Sequence, residues 1–418
     1  MRTDISTDVA AIRSGPLRDA AADAGRPDED AEQDGPRRLQ HALTRQLEDA
    51  RARRLRVDLL RLPSVTIGGH SLPDPRCASF CEVCCIGRAF VAQHPSPSYQ
   101  PTVAEYAEMV CTYLGAPSPL AARLGVGRAV HASRRGQLPT LDAWAFVLTS
   151  VQARGDGWRI MHDAIADRIY ADAKRAGVEV TTEVRGLFTD LLPSVAVGRR
   201  EGIIPDAKVR GPFPGRDGGQ GAGLVDHLLD NKVIHYCPSR YSAAHVTLGG
   251  DASCCQHRAG RVAAEYTASA RSLDARFFAH IADVDQRPVL TRLRQYPDPR
   301  GLVFGAFAEA SADVHTLLRL VAEAASLRHW REAGARSALG SRSTFTCAYR
   351  RQWGCEVALQ GARLRISRSF LVDGAGAAPH GGADDAPREF GGFDPRSPAD
   401  IDRAQAPPLG GLPAGQRF

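Results

Sequence analysis

Between residues 157 and 184 the chain changes its hydrophobic period, and this change restricts the possible folds more than any other feature. GWRIMHDAIADRIYADAKRAG (157–177) sets Met161, Ile165 and Ile169 four residues apart, the spacing that lines one face of a helix. Gly177 follows as a residue free to adopt the left-handed conformation at a helix end. VEVTTEV then alternates, with Val178, Val180, Thr182 and Val184 on one side and Glu179, Thr181 and Glu183 on the other. That is the period of a half-buried strand. One segment thus predicts a helix and the next a strand, which makes the region α/β.

The same reading continues downstream. IIPDAKVR (203–210) predicts a second strand, with Pro205 near its start where a missing N–H is tolerated. HLLDNKVIHY (227–236) predicts a third. RVAAEYTASARSLDARFFAHIAD (261–283) predicts a long helix, GLVFGAFAE (301–309) a short buried strand, and DVHTLLRLVAEAASLRHW (313–330) an amphipathic helix. The order from 157 is therefore α-β-β-β-α-β, closed by a further helix. Residues 37–60 alternate Arg with Leu and Ala at helical spacing, 101–114 predict a helix, and the apolar stretch 141–151 fits either element. Residues 1–36 and 373–418 are rich in Gly, Pro, Asp and Ala without periodicity, and are expected to be disordered. The expected division is a mixed linker region over 37–150, an α/β domain over 151–335 and a basic helical extension over 336–372. GGQGAG (218–223) joins two predicted strands, so it lacks the strand-to-helix setting of a phosphate-binding loop.

The third strand carries charges in its middle. Side chains two apart on a strand share a face, so Asp230 and Lys232 project side by side between Leu228 and Ile234. Of 53 basic residues only Lys174, Lys208 and Lys232 are lysine, so a lysine two residues after an aspartate is conspicuous. Asp206 follows Pro205 on the neighbouring strand. Two carboxylates and an ammonium on adjacent strands suit Mg²⁺, which binds through one or two carboxylates, waters and phosphate oxygens. A third acid often completes such a site, and Glu183 on the first strand is the candidate, with Glu179 as the fallback. The alternative is a same-face ion pair on a solvated strand beside an unrelated turn aspartate.

Pro205-Asp206, Asp230-Asn231-Lys232 and the element order resemble the PD-(D/E)xK nucleases. More narrowly, MHDAIADRIYADAKRAGVEVTTEV, the PD and LLDNKVIHY with the long helix and GLVFGAFAE look like the C-terminal endonuclease region of non-long-terminal-repeat retrotransposons, and LRVDLLRLPSVTIGGHSLPDPRCASFCEVCCIGRAF looks like the segment linking polymerase to nuclease; together they cover about residues 57–370, most closely 157–310. The resemblance implies a restriction-endonuclease-like core and Mg²⁺- or Mn²⁺-dependent hydrolysis of a DNA phosphodiester. Asp206, Asp230 and the carbonyl of Asn231 would hold the metal, Lys232 would position the attacking water and Glu183 would assist. It implies DNA as partner, with element RNA or a reverse transcriptase acting in trans, and an intracellular, nuclear setting. Two departures stand out. The chain contains no Y-x-D-D polymerase motif, and the stretch 125–162, where the family carries a Cys-Cys-His-Cys knuckle, has no cysteine. A non-catalytic nucleic-acid-binding remnant and an interaction protein with no nucleic-acid role are therefore the competing functions.

Further candidates are more loosely held. His162 with Asp163 could meet a substrate phosphate or simply form an exposed first helical turn, where acids suit the helix dipole. His235 and Tyr236 lie at the end of the third strand and could touch substrate. Cys77, Cys81 and Cys84 have a spacing that can bind zinc but lack a second pair; thiols are the alternative. Cys254, Cys255 and His257 fall in a predicted loop. Arg350 and Arg351 stand between Phe345, Tyr349 and Trp353, in a segment (319–368) with ten Arg against three Glu. That face could hold DNA, or be a core stripe backed by solvated arginines. No apolar run approaches the roughly 18 residues of a membrane span, and no secretory h-region opens the chain. The ten cysteines are accordingly expected as thiols or metal ligands.

Overall fold

The computed structural model describes residues 35–82, 84–92, 99–131, 138–151, 157–184, 186–192, 204–211, 225–242, 246 and 253–372. The ends expected to be disordered fall outside this set, apart from Gly35 and Pro36, which open the first helix, and so does GGQGAG. The chain is mixed α/β. Helices α1 (Gly35–Leu60), α2 (Pro75–Glu82), α3 (Val103–Leu114), α4 (Pro119–Leu124) and α5 (Phe146–Ser150) precede the main sheet, with a small hairpin of β1 (Val65–Ile67) and β2 (His70–Leu72). Then come α6 (Gly157–Ala176), β3 (Val180–Thr182), β4 (Ala207–Gly211), β5 (Val225–Val233), α7 (Cys254–Gly260), α8 (Val262–Phe277), α9 (Pro288–Leu293), β6 (Arg300–Phe304), α10 (Ala312–His329) and α11 (Ala338–Ser367).

The four strands run in the order β3-β4-β5-β6, antiparallel except for the parallel β5–β6 pair. Alternation along β5 and β6 sends neighbouring side chains to opposite faces. Leu229, Leu302 and Phe304 join Val209 beneath α6 and α10, packing on Ile165, Ile169, Val314 and Leu317. Leu228 faces the other way, onto Val262 and Tyr266 of α8. Val303 also faces that way, among Cys254, Tyr236 and Phe307. Helices therefore cover both faces, and each fully buried leucine contributes about 1.5–3 kcal/mol. Trp353, Val357 and Leu364 of α11 share the first of these cores, as does Ile86 from the segment after α2. The helix expected as a basic extension is thus packed into the body of the protein.

Element edges differ from the sequence reading for local reasons. The second strand begins at Ala207 rather than 203, because at Asp206 the side chain, not the backbone, takes the N–H of Asn231. The first strand ends at Thr182, where Glu183 turns to φ 47°. Cys254, Cys255 and His257 open helix α7, capped when Ser253 Oγ accepts the N–H of Gln256 at 3.1 Å. The fourth strand stops at Phe304 because Gly305 donates back to the carbonyl of Glu309 at 2.9 Å, closing a tight turn. No described helix is long and apolar enough to cross a membrane.

Candidate active site

The β4–β5 register pairs Ala207 with Leu229. One residue before β4, Asp206 lies close enough to Asp230 for its charge to raise the Asp230 carboxyl. The Asp206 carboxylate Oδ2 accepts the backbone N–H of Asn231 at 2.6 Å, which fixes it at the end of the ladder. Backbone bonds from the far side complete the anchoring, with Glu183 N–H donating to the Asp206 carbonyl at 2.8 Å and Val184 N–H to that of Pro205 at 3.0 Å.

Asp230 is 5% exposed. Lys232 reaches back along the strand and places Nζ 2.9 Å from Oδ1 and 2.8 Å from Oδ2 of that carboxylate. The lysine itself is 36% exposed. Burial pushes the Asp230 carboxyl above its ordinary range, the Lys232 ammonium opposes this, and the Asp206 charge acts in the same direction as burial. The partly exposed Asp206 and the buried Asp230 thus lie near one another, with the Lys232 ammonium on the inner acid.

The surrounding helices add groups that spacing did not reveal. From α8, Tyr266 is hydrogen-bonded to Asp230, and its hydroxyl is held neutral chiefly by burial. From α7, the guanidinium of Arg258 lowers Asp230. Arg258 is 7% exposed, pairs with Glu265 through Nη2 at 2.9 Å, and has a buried Nη1 without a hydrogen-bond partner. From α6, the phenol of Tyr170 accepts a bond from the Asn231 amide. Asn231 Oδ1 is buried with no partner.

His162 is drawn into this cluster instead of pointing to solvent. Its Nε2 lies 3.3 Å from Asp206 Oδ2 and 3.1 Å from the Asn231 carbonyl, and its Nδ1 lies 2.9 Å from Asp163. The hydrogen bond to Asp206 is the main reason the imidazole is raised to about 9, so both ring N–H groups donate at neutral pH. Sequence gave no means of distinguishing this from an exposed first turn, because the partner lies 44 residues away.

Glu183 is exposed, and it reaches the cluster through its backbone bond to Asp206. Its carboxylate lies near Asp167, whose carboxyl is raised first by burial and then by Asp163 and Glu183. The fallback Glu179 faces outward, 4.0 Å from Arg210. His235 stacks on Trp158 with ring centroids 5.2 Å apart, and burial depresses its imidazole to about 4, with Arg368 and Arg240 adding to the effect.

Other candidates lie elsewhere. Tyr236 is fully buried, donates to the Pro73 carbonyl and packs on Phe146, Tyr241 and Phe307, so it is a core residue and not a substrate contact. The sequence could not separate the two because the strand ends at Val233 and the chain turns inward there. Phe345, Tyr349 and Trp353 form a ladder against the core, which favours the core-stripe reading. Arg350 and Arg351 are half-buried, with Nε atoms enclosed and unpartnered. Trp353 bonds Asp172, ten residues along α6 from His162. That offset is about 15 Å at the rise of a helix. Cys77 and Cys81 are hydrogen-bonded to each other, whereas Cys84 accepts from the backbone of Ile86 and Gly87, a separate environment. Among the described residues no group of three or more His, Cys, Asp or Glu is arranged to hold a metal.

No family model matches the chain, and no curated protein matches it.

Proposed function

We propose that the chain is a divalent-metal-dependent DNA endonuclease with a restriction-endonuclease-like core, derived from a retrotransposon. The observation that carries this reading is Asp206 just before β4, bonded to the Asn231 N–H and close enough to Asp230 for its charge to act there, with Lys232 bonded to the inner carboxylate. The donor set fits Mg²⁺ or Mn²⁺: Asp206, Asp230 and the carbonyl of Asn231 are hard oxygen ligands, and this metal needs few from the protein. When bound, the ion supplies positive charge at the phosphate and acidifies a water.

The chain's own residues would act as follows. Asn231 N–H and His162 hold Asp206 in place. Lys232 and Arg258 oppose the burial that raises the Asp230 carboxyl, and Tyr266 is hydrogen-bonded to it. Lys232, partly exposed, orients the attacking water and offsets charge developing on the phosphate. His162 lies against Asp206, while Glu183 would assist from the end of β3.

The test is cleavage of labelled single-stranded, duplex and branched DNA with Mg²⁺, Mn²⁺ or EDTA. Metal-dependent cutting abolished by Asp230→Ala and by Lys232→Ala, with unchanged circular dichroism, is the expected result. Undiminished cutting by Lys232→Ala would sink the assignment. A second reading, a non-catalytic DNA-binding remnant, draws on Lys232 bonding both Asp230 oxygens and on the two donors already at Asp206 Oδ2. Retention of DNA without cleavage would select it.

A further inference from the structure

Helix α1 is 26 residues long, about 39 Å at the rise of an α-helix. None of its described side chains is buried. Near its end, Leu55 and Leu59 line a cavity of about 300 Å³ with Phe80 and Tyr113. A helix without a buried face gains little from tertiary packing, which is where most helical stability comes from. Its surface must therefore be explained by something other than the core.

That surface is basic around the whole circumference. Residues 45–61 hold six arginines against three acids, and ARARRLR (50–56) holds four arginines and no acid. At roughly 100° per residue, Arg45, Arg51, Arg53 and Arg54 fall in four different quadrants. All four are exposed. Arg56 is excluded because it is tied to Cys81. A helix lying on a flat acidic protein would need its cations on one side. One resting on a membrane would need its apolar residues on one side, yet Leu43, Leu55, Val57 and Leu60 are dispersed around the axis and exposed. Cations on all sides fit a channel with anions along both walls.

We propose that α1 docks in the major groove of duplex DNA, with its arginines reaching the phosphate rows on either side. The B-form major groove admits an α-helix, and continuous basic helices occupy it in this manner. The deep, narrow major groove of A-form RNA does not admit one. This surface is separate from the Asp206–Asp230 cluster, and it extends the nuclease reading by naming how duplex substrate would be held.

The experiment measures fluorescence anisotropy of a labelled duplex with the full chain in EDTA, across about 50–200 mM salt. The variants are Arg51→Gln/Arg53→Gln/Arg54→Gln and the matching triple lysine substitution. The glutamine triple should keep the wild-type melting temperature, bind duplex DNA about ten- to a hundredfold more weakly, and flatten the salt slope by about 2 to 3. The lysine triple should restore most binding. Unchanged affinity and slope in the glutamine triple would overturn the proposal. Equal losses on duplex RNA and single strands would overturn the groove fit. A loss confined to phosphatidylserine vesicles would replace DNA by a lipid surface. Because binding is read without metal, failure of cleavage leaves this outcome intact, and the reverse also holds.

Discussion

Asp230 is held from three directions, by Lys232 on its own strand, Tyr266 on α8 and the Arg258 guanidinium on α7. The first of these was legible, because residues two apart on a strand share a face. Tyr266 and Arg258 were not, since nothing in a helix 28 to 36 residues downstream announces which of its side chains turns to the sheet. The Tyr266 bond is buried, so leaving its partner unsatisfied costs about 1–3 kcal/mol. Tyr266→Phe should therefore lower the cleavage rate about ten- to a hundredfold with little change in fold. Single-turnover kinetics beside circular dichroism check it, and an unaltered rate would assign the tyrosine a packing role alone.

Helix α11 is the element whose role changed most between sequence and structure. Its arginines suggested a solvated face, yet Arg365 is 2% exposed and bonds Glu108 of α3 through Nε at 3.2 Å. Glu108 in turn accepts from Ser118 Oγ at 2.7 Å and from the N–H of Leu120 at 2.9 Å, joining α3, α4 and α11. Removing one partner leaves the other charge buried and uncompensated, at a cost of about 3–5 kcal/mol. Arg365→Met should show that loss in urea unfolding, and Arg365→Met with Glu108→Leu should recover much of it. Capping was more transparent: Thr102 accepts the N–H of Glu105 and Glu105 accepts that of Thr102 at the start of α3, a local exchange that the pattern T-x-x-E encodes.

At the scale of the whole molecule, the segment before the sheet is tied to helix α7 by a buried acid. Glu82 of α2 accepts the N–H of Cys254 at 3.0 Å, and Glu309, in the turn after β6, accepts the N–H of Phe307 at 2.8 Å. Burial, reinforced by Glu309, raises Glu82 to about 8 from 4.5. Between those values the folded protein holds a proton that the unfolded chain has lost. Stability is then highest below about pH 4.5 as far as this group is concerned, and falls as pH rises toward 8. Melting temperatures across this window should decline less steeply in Glu82→Gln than in the wild type. Parallel curves would mean that the carboxyl does not titrate with folding.

The sequence by itself determined the α/β alternation and the side-by-side placement of Asp230 and Lys232. Both follow from local periods of 2 and 3.6 residues, which the backbone imposes wherever the chain folds. Only the tertiary structure decided that Asp206 lies near Asp230, that His162 and Tyr266 join them, that Tyr236 turns inward and that α11 is core. Those depend on strand register and on which helix face meets which layer, and such contacts link residues tens of positions apart that no local pattern connects.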